Sequence, residues 1–249
     1  AQETTLYGKD LYGEKSLHRL LKELCKVKGI RWIRILYCYP EEIYDELIQT
    51  MKEEPKICHY LDLPIQHASD AVLKRMGRRT TRKELTEKVQ KLREEIPDIV
   101  LRTTLITGFP GETEEDHETL MEFVDEMEFD RLGVFTYSAE EDTPAASMEG
   151  QIPEEVKEER RDALMELQQE VSYDKGTERI GQELLVMIEG KVSGESAYIA
   201  RTYGDAPKVD GYIFVQTGEL LVTGDFARVR VTGAMEYDLI GVLADEYTE

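Results

Sequence analysis

The sequence is short of cysteine, of basic charge and of long apolar runs, and each shortage removes a class of function. Its three cysteines, Cys25, Cys38 and Cys58, stand alone, with no CxxC or comparable ligand spacing between them. They read as small hydrophobes in a reducing compartment, not as a disulfide framework or a metal centre. No stretch reaches the roughly eighteen uninterrupted apolar residues of a membrane span. A secretory leader is also missing, because the chain opens Ala1-Gln2-Glu3-Thr4 where a basic and then apolar start would stand. The expected compartment is the cytoplasm, with no membrane partner. Basic residues number 31 against 52 acidic, a net charge of −21. Such a surface repels phosphate backbones, whose binding depends on Lys and Arg, and attracts basic proteins. Acidity that serves only solubility fits the same balance.

The initiator Met is missing as well. Ala1 to Thr5 lead straight into Leu6-Tyr7-Gly8, which reads as the tail of a strand that begins upstream in a longer protein. Removal of an N-terminal Met before Ala1 accounts equally for the same start.

What is present is a foldable core, with 41% apolar residues in 249. Leu17, Leu20, Leu21, Leu24 and Val27 share a helical face. Arg31–Tyr37 reads as a strand closed by Pro40, and Ile43, Leu47, Ile48 and Met51 mark a second helix. His59–Ile65 reads as a strand, Leu85, Val89, Leu92 and Ile96 as a helix, and Ile99–Thr107 as a strand. Glu114–Met127 follows as a helix and Arg131–Tyr137 as a strand. This alternation predicts parallel strands covered by helices, an α/β unit shaped as a partial (β/α) TIM-like barrel over residues 1–150. An open sheet satisfies the same alternation. Pro153 opens a charged connecting helix over 151–176, with Val156, Ala163, Leu164, Leu167 and Val171 turned inward. Residues 177–249 hold five short β-prone runs and predict a small antiparallel β-barrel, OB-like.

Three segments at strand ends carry chemistry-bearing residues. Arg102-Thr103-Thr104-Leu105-Ile106-Thr107 runs into Gly108-Phe109-Pro110-Gly111-Glu112, and Thr113 can cap the following helix. The glycines allow close approach of a ligand, and exposed amides there can receive its polar groups. An ordinary tight βα loop has the same composition. Asp62-Leu63-Pro64-Ile65-Gln66-His67-Ala68-Ser69-Asp70, followed by Lys74-Arg75-Met76-Gly77-Arg78, clusters polar groups where barrel enzymes place their sites. His67 by itself reads as a structural histidine. Phe135-Thr136-Tyr137-Ser138 and Thr143-Pro144-Ala145-Ala146 follow the last strand.

Together with Gln2-Glu3-Thr4-Thr5 and Tyr7-Gly8, these segments resemble, in order and spacing, the methylthiotransferase branch of radical S-adenosylmethionine enzymes, over essentially the whole chain. The resemblance implies S-adenosylmethionine as cofactor, with Gln2, Gln66, Ser69, Arg102 and Thr104 near it and Gly108 and Phe109 lining its adenine. It implies two 4Fe-4S clusters in the full-length protein, one on a CxxxCxxC loop and one on three cysteines of an N-terminal domain. Cys25, Cys38 and Cys58 match neither set, so this chain alone is expected to be inactive. The resemblance implies an electron donor without identifying it. The segment Ala200-Arg201-Thr202-Tyr203-Gly204-Asp205-Ala206-Pro207-Lys208-Val209-Asp210-Gly211 is similar to the C-terminal TRAM domain of members that modify the β-carbon of an aspartate in ribosomal protein uS12. Residues 177–249 carry 13 acidic and 6 basic residues, the wrong sign for tRNA. The expected partner is therefore basic uS12, and direct tRNA binding is not expected. Two rivals remain at this point: a tRNA adenosine methylthiotransferase, and a clusterless acidic protein-binding module. Stacking of single-stranded nucleic acid on Tyr198, Tyr203, Tyr212 and Phe214 is a weaker idea, since no basic residues interleave with them.

Overall fold

Apolar residues at helical and strand spacing organise two units, 1–168 and 169–249, which the computed structural model describes over residues 3–244. In the first, α1 (Lys9–Tyr12) and α2 (Leu17–Cys25) lead into β1 (Ile33–Ile35). A 3-10 turn (Pro40–Glu42) and α3 (Asp45–Glu53) lead to β2 (Ile57–Gln66). Helices α4 (Asp70–Arg75) and α5 (Arg82–Glu95) lead to β3 (Val100–Thr107), and α6 (Glu114–Met127) to β4 (Arg131–Thr136). A second 3-10 turn (Pro144–Ser147) precedes α7 (Glu154–Thr177), and the division between the units falls inside that helix.

The four strands are all parallel and lie side by side in chain order, the arrangement of an arc of a (β/α) barrel. Strand β3 shows why one face is buried and the other is not. Leu101, Thr103, Leu105 and Thr107 are buried, while Arg102, Thr104 and Ile106 alternate with them and remain half-exposed. The buried face joins a core that includes Leu47, Met51, Leu61, Leu63, Leu92, Leu120 and Phe123. Each such side chain contributes roughly 1.5–3 kcal/mol by leaving water. Helices α5 and α6 start on capping boxes, Thr81 with Glu84 and Thr113 with Asp116, so the expected cap at Thr113 is present.

Several boundaries differ from expectation. Strand β1 is shorter than 31–37, and Val27 lies beyond α2, largely exposed. Ile43 precedes α3 because it ends the 3-10 turn that Pro40 starts. Residues 3–5 form bends and turns, not a strand, although the Thr4 amide donates to the Tyr37 carbonyl at 2.9 Å. Helix α4 has no counterpart in the sequence reading. The fully buried stripe of α7 is also different: it is Lys157, Arg160, Leu164, Gln168 and Ser172, not the apolar set alone.

The second unit is a closed five-stranded barrel: β5 (Glu183–Lys191), β6 (Ala197–Thr202), β7 (Ile213–Gln216), β8 (Phe226–Ala234) and β9 (Leu239–Leu243). They close in the order β5-β6-β7-β9-β8. Four pairings are antiparallel; β7 and β9 run parallel. Val186, Ile188, Tyr198, Ile213, Val215, Val229 and Val231 fill the interior, which places Tyr198 in the core and not on a stacking surface. Gly241 is needed there, since a β-carbon would meet Val229 and the Arg230 carbonyl. Among the described residues no helix is long and apolar enough to cross a membrane.

Candidate functional site

The face of the parallel sheet turned away from the helices carries a row of charge. Asp62 of β2, Arg102 of β3 and Arg131 of β4 are cross-strand neighbours, and Arg34 of β1 stacks over Tyr60 with 4.9 Å from guanidinium to ring centre. Arg102 Nη1 donates to Asp62 Oδ1 at 2.8 Å and to Thr104 Oγ1 at 3.4 Å. The other Asp62 oxygen accepts the Tyr37 amide at 3.1 Å. This face thus gathers the guanidiniums of Arg34, Arg102 and Arg131 around the Asp62 carboxylate, within a chain of net charge −21. Further along, Thr104 faces Gly133, whose missing side chain leaves space bordered by Phe135, 60% exposed.

Three strand ends reach left-handed backbone: Tyr37 after β1 (φ 59°), Gln66 ending β2 (φ 73°) and Gly108 after β3 (φ 74°). Glycine adopts that region without penalty, whereas Tyr37 and Gln66 each sacrifice about 1–2 kcal/mol. Such sacrifices cluster where a site dictates the backbone. Here they ring the C-terminal ends of adjacent parallel strands, where barrel enzymes bind substrates.

The turn after β3 is held from within. Glu112 Oε2 accepts the amides of Gly108 (2.7 Å) and Phe109 (3.1 Å). Its other oxygen accepts Arg160 Nη1 at 2.9 Å, and Gly111 donates its amide to the Gly150 carbonyl at 2.8 Å. The expectation of exposed amides at this turn is thus corrected: a carboxylate four residues on has already taken them. Burial raises the Glu112 carboxyl above its ordinary range, opposed by Arg160 and the two amides. His67 lies behind the turn, fully buried, and burial holds its imidazole down to about 4. Its Nδ1 accepts the Ser69 amide at 2.9 Å, which puts the proton of the neutral ring on Nε2, 3.7 Å from Glu112. Its sequence context indicated a structural histidine; the ring is buried, and among the described residues its Nε2 has no hydrogen-bond partner.

Arg102 and Thr104 share the open face, whereas Gln66 ends β2 in register with Leu105 of the buried face, after a shift in the ladder between Leu63 and Gln66. Ser69 and Phe109 are placed differently. The Ser69 hydroxyl caps α4 and donates to Asp116, and the Phe109 ring packs edge-on against Tyr137 at 5.2 Å. Gln2 lies outside the described residues. Asp62, Glu112 and Arg160 went unassigned in the sequence reading. The available signals were an acidic residue in the otherwise apolar run Tyr60-Leu61-Asp62-Leu63 and, for Glu112, its place at the close of a glycine turn.

The open face fits S-adenosylmethionine in kind: the arginine row for a carboxylate, Thr104 for a hydroxyl, and Phe135 for an apolar or aromatic group. Iron–sulfur clusters do not fit this chain. Cys38 and Cys58 are buried, burial pushes the Cys38 thiol well up, and no grouping of metal ligands exists among the described residues.

The Radical SAM superfamily matches residues 2–124 and the TRAM domain residues 180–243. Ribosomal protein uS12 methylthiotransferase RimO of Lachnoclostridium phytofermentans is 63% identical over 97% of this chain and 55% of its own length. The proteins of that name from Desulfitobacterium hafniense and Clostridium perfringens are 53% and 54% identical, over 97% and 99% of this chain and 54% and 55% of theirs. The chain thus spans about half the length of the curated relatives it matches. Among solved structures, the radical S-adenosylmethionine methyltransferase TsrM of Kitasatospora setae overlaps 47% of the chain and 24% of its own at a TM-score of 0.40 and 17% identity, too loose to carry an argument. The chain thus carries a Radical SAM match and a TRAM domain, and over nearly its whole length it is similar to about half of each of these uS12 methylthiotransferases.

Proposed function

We propose that this chain supplies the S-adenosylmethionine-binding arc and the TRAM barrel of a cytoplasmic methylthiotransferase that acts on an aspartate β-carbon of ribosomal protein uS12. The observation that carries this reading is 63% identity, across nearly the whole chain, to a protein of that name. Bound S-adenosylmethionine would supply hydrogen-abstraction chemistry at an unactivated carbon. The residues of this chain bind and orient. Arg102, aimed by Asp62 and braced by Thr104, takes an anionic group of the cofactor, and Gln66 and Thr104 contribute polar contacts at the strand ends. Phe135 covers the site against water. Both 4Fe-4S clusters and the source of electrons belong to the remainder of the protein.

The barrel's charge favours a basic protein over tRNA. Its arginine in the loop region, Arg201, turns inward to Glu189 and the Asp205 carbonyl. Asp205 in turn fixes the loop by accepting the Thr202 hydroxyl at 2.6 Å. The test is incubation of the full-length, cluster-loaded protein with uS12, S-adenosylmethionine and a reductant, followed by mass spectrometry. A methylthio group on one aspartate, lost in Arg102→Met, is expected. Unmodified uS12 alongside a modified tRNA would overturn the assignment.

A further inference from the structure

We propose that Arg160, acting through Glu112, is a positioning residue for the adenine end of S-adenosylmethionine, with the first turns of α7 bracing the β3–α6 turn. This rests on the reading above, that the chain binds S-adenosylmethionine, and on the placement at Gly108 and Phe109 that the family resemblance implies for the adenine; with the Phe109 ring packed on Tyr137, it is the backbone of the turn that would border it.

The contacts converge on a short stretch of backbone. Glu112 receives the amides of Gly108 and Phe109, and Arg160 holds both the Glu112 carboxylate and its carbonyl oxygen, the latter at 3.3 Å. Arg160 Nη2 reaches Glu114 at 3.1 Å. One helical turn earlier, the Lys157 methylenes lie against Gly108, where a β-carbon would collide with them, and Lys157 Nζ donates to the Tyr137 carbonyl at 2.8 Å. The Thr107 hydroxyl donates back to the Lys157 carbonyl at 3.2 Å. Two left-handed glycines, Gly108 and Gly111, make this turn intrinsically loose. The clamp replaces that freedom with a single backbone course at the end of the strand that carries Thr104 and Ile106. A buried ion pair is a poor stabiliser compared with apolar packing, but it fixes geometry.

The groups facing Glu112 decide how the clamp fails. They are Arg160 from α7 and neutral His67 from the loop after β2; around them, Lys157 of α7 lies against Gly108, Arg75 of α4 borders Gly111, and Asp116 and His117 of α6 act on His67. Arg160 is the only cation bonded to the carboxylate among the described residues. Without it, the carboxylate keeps its two amides but loses its cation, and burial no longer opposed by Arg160 drives the Glu112 carboxyl further up, so taking a proton as pH falls relieves the loss.

The experiment is equilibrium dialysis of S-adenosylmethionine against the full-length, cluster-loaded protein at about pH 6 and about pH 8.5, with Tm measured alongside. Arg160→Met should raise Kd about tenfold or more at the higher pH and less at the lower. The neutral pair Glu112→Gln with Arg160→Met should bind with little pH dependence and nearer to wild type. Arg160→Lys keeps the charge and should lose less than Arg160→Met, which keeps the test alive if the latter folds poorly. If Kd stays within about twofold in every variant while only Tm falls, the pair is structural and the proposal is overturned. Arg102→Met separates the two levels. If it weakens binding while Arg160→Met does not, the proposal fails and the site stands. If wild type binds no S-adenosylmethionine, both fall.

Discussion

Asp62→Ala tests the charge row directly. The carboxylate is buried, its side chain 6% exposed, and it holds Arg102 Nη1 at 2.8 Å and the Tyr37 amide at 3.1 Å. Removing one member of a buried pair costs about 3–5 kcal/mol, because the other charge loses its compensation. Arg102 retains 17% side-chain exposure toward the open face, so water recovers part of that loss. The orphaned Tyr37 amide adds about 1 kcal/mol or more. A destabilisation of about 3 kcal/mol is expected, which for a unit of this size lowers Tm by about 2–4 °C per kcal/mol. The assay follows from composition: the chain has one tryptophan, Trp32, beside β1 in the first unit. Its fluorescence in a urea titration reports that unit without the barrel. Arg102→Met should cost a similar amount, and the double variant clearly less than the sum, because the two side chains share one interaction. A loss below about 1 kcal/mol for Asp62→Ala, or simple additivity within about 0.5 kcal/mol, would refute the reasoning.

Other consequences can be measured with the same titration. Gly108→Ala should destabilise by about 2–4 kcal/mol, from left-handed strain and collision with the Lys157 side chain; a neutral effect would mean the turn is not fixed as described. Gln66→Gly should stabilise by about 1 kcal/mol through relief of strain at φ 73°, while weakening S-adenosylmethionine binding in dialysis. Equal or tighter binding would remove Gln66 from the site. Stability should also depend on pH through His67. Its folded value, about 4, lies below the ordinary imidazole, so between about pH 6.5 and 4 the unfolded chain takes up a proton that the folded chain refuses. Stability then falls as pH drops through that window, by up to roughly 3 kcal/mol, and His67→Asn, which keeps an acceptor for the Ser69 amide, should flatten that part of the slope.

The parallel strands and their helices were legible because their signals are local. The start of α6 could be read from Thr113, whose capping box with Asp116 spans three residues. Helix α4 was not legible: it is six residues long, and only Val72 and Leu73 are buried, too few to set a period. The buried stripe of α7 escaped for a different reason. Lys157, Arg160 and Gln168 are ordinarily surface residues. They are buried here because each meets a carbonyl or carboxylate 20, 48 and 39 residues away, at Tyr137, Glu112 and Phe129. No spacing in the sequence encodes such a meeting. The Gly108–Glu112 contact is local and was legible in principle, since an acidic residue closing a glycine turn is placed to collect its amides.

The distribution of charge links the site to its partner more closely than net charge does. A uniformly acidic chain would repel the carboxylate of S-adenosylmethionine as well as RNA. This chain instead gathers Arg34, Arg102 and Arg131 on one face of the sheet, with Asp62 as the buried counterion that aims one of them. The barrel does the reverse. Arg201, which a tRNA-binding loop would present outward, is nine-tenths buried against Glu189, and the loop beyond it is fixed by the carboxylates of Asp205 and Asp210. Turning Arg201 outward would break its bond to Glu189 and strand that carboxylate, so the inward orientation is held by the fold itself. A barrel of this sign gains from basic residues on its partner and loses from phosphates. Association with a basic partner protein, as proposed, would therefore weaken as salt screens the attraction, whereas tRNA would be rejected most strongly at low salt, where a basic barrel would bind it best.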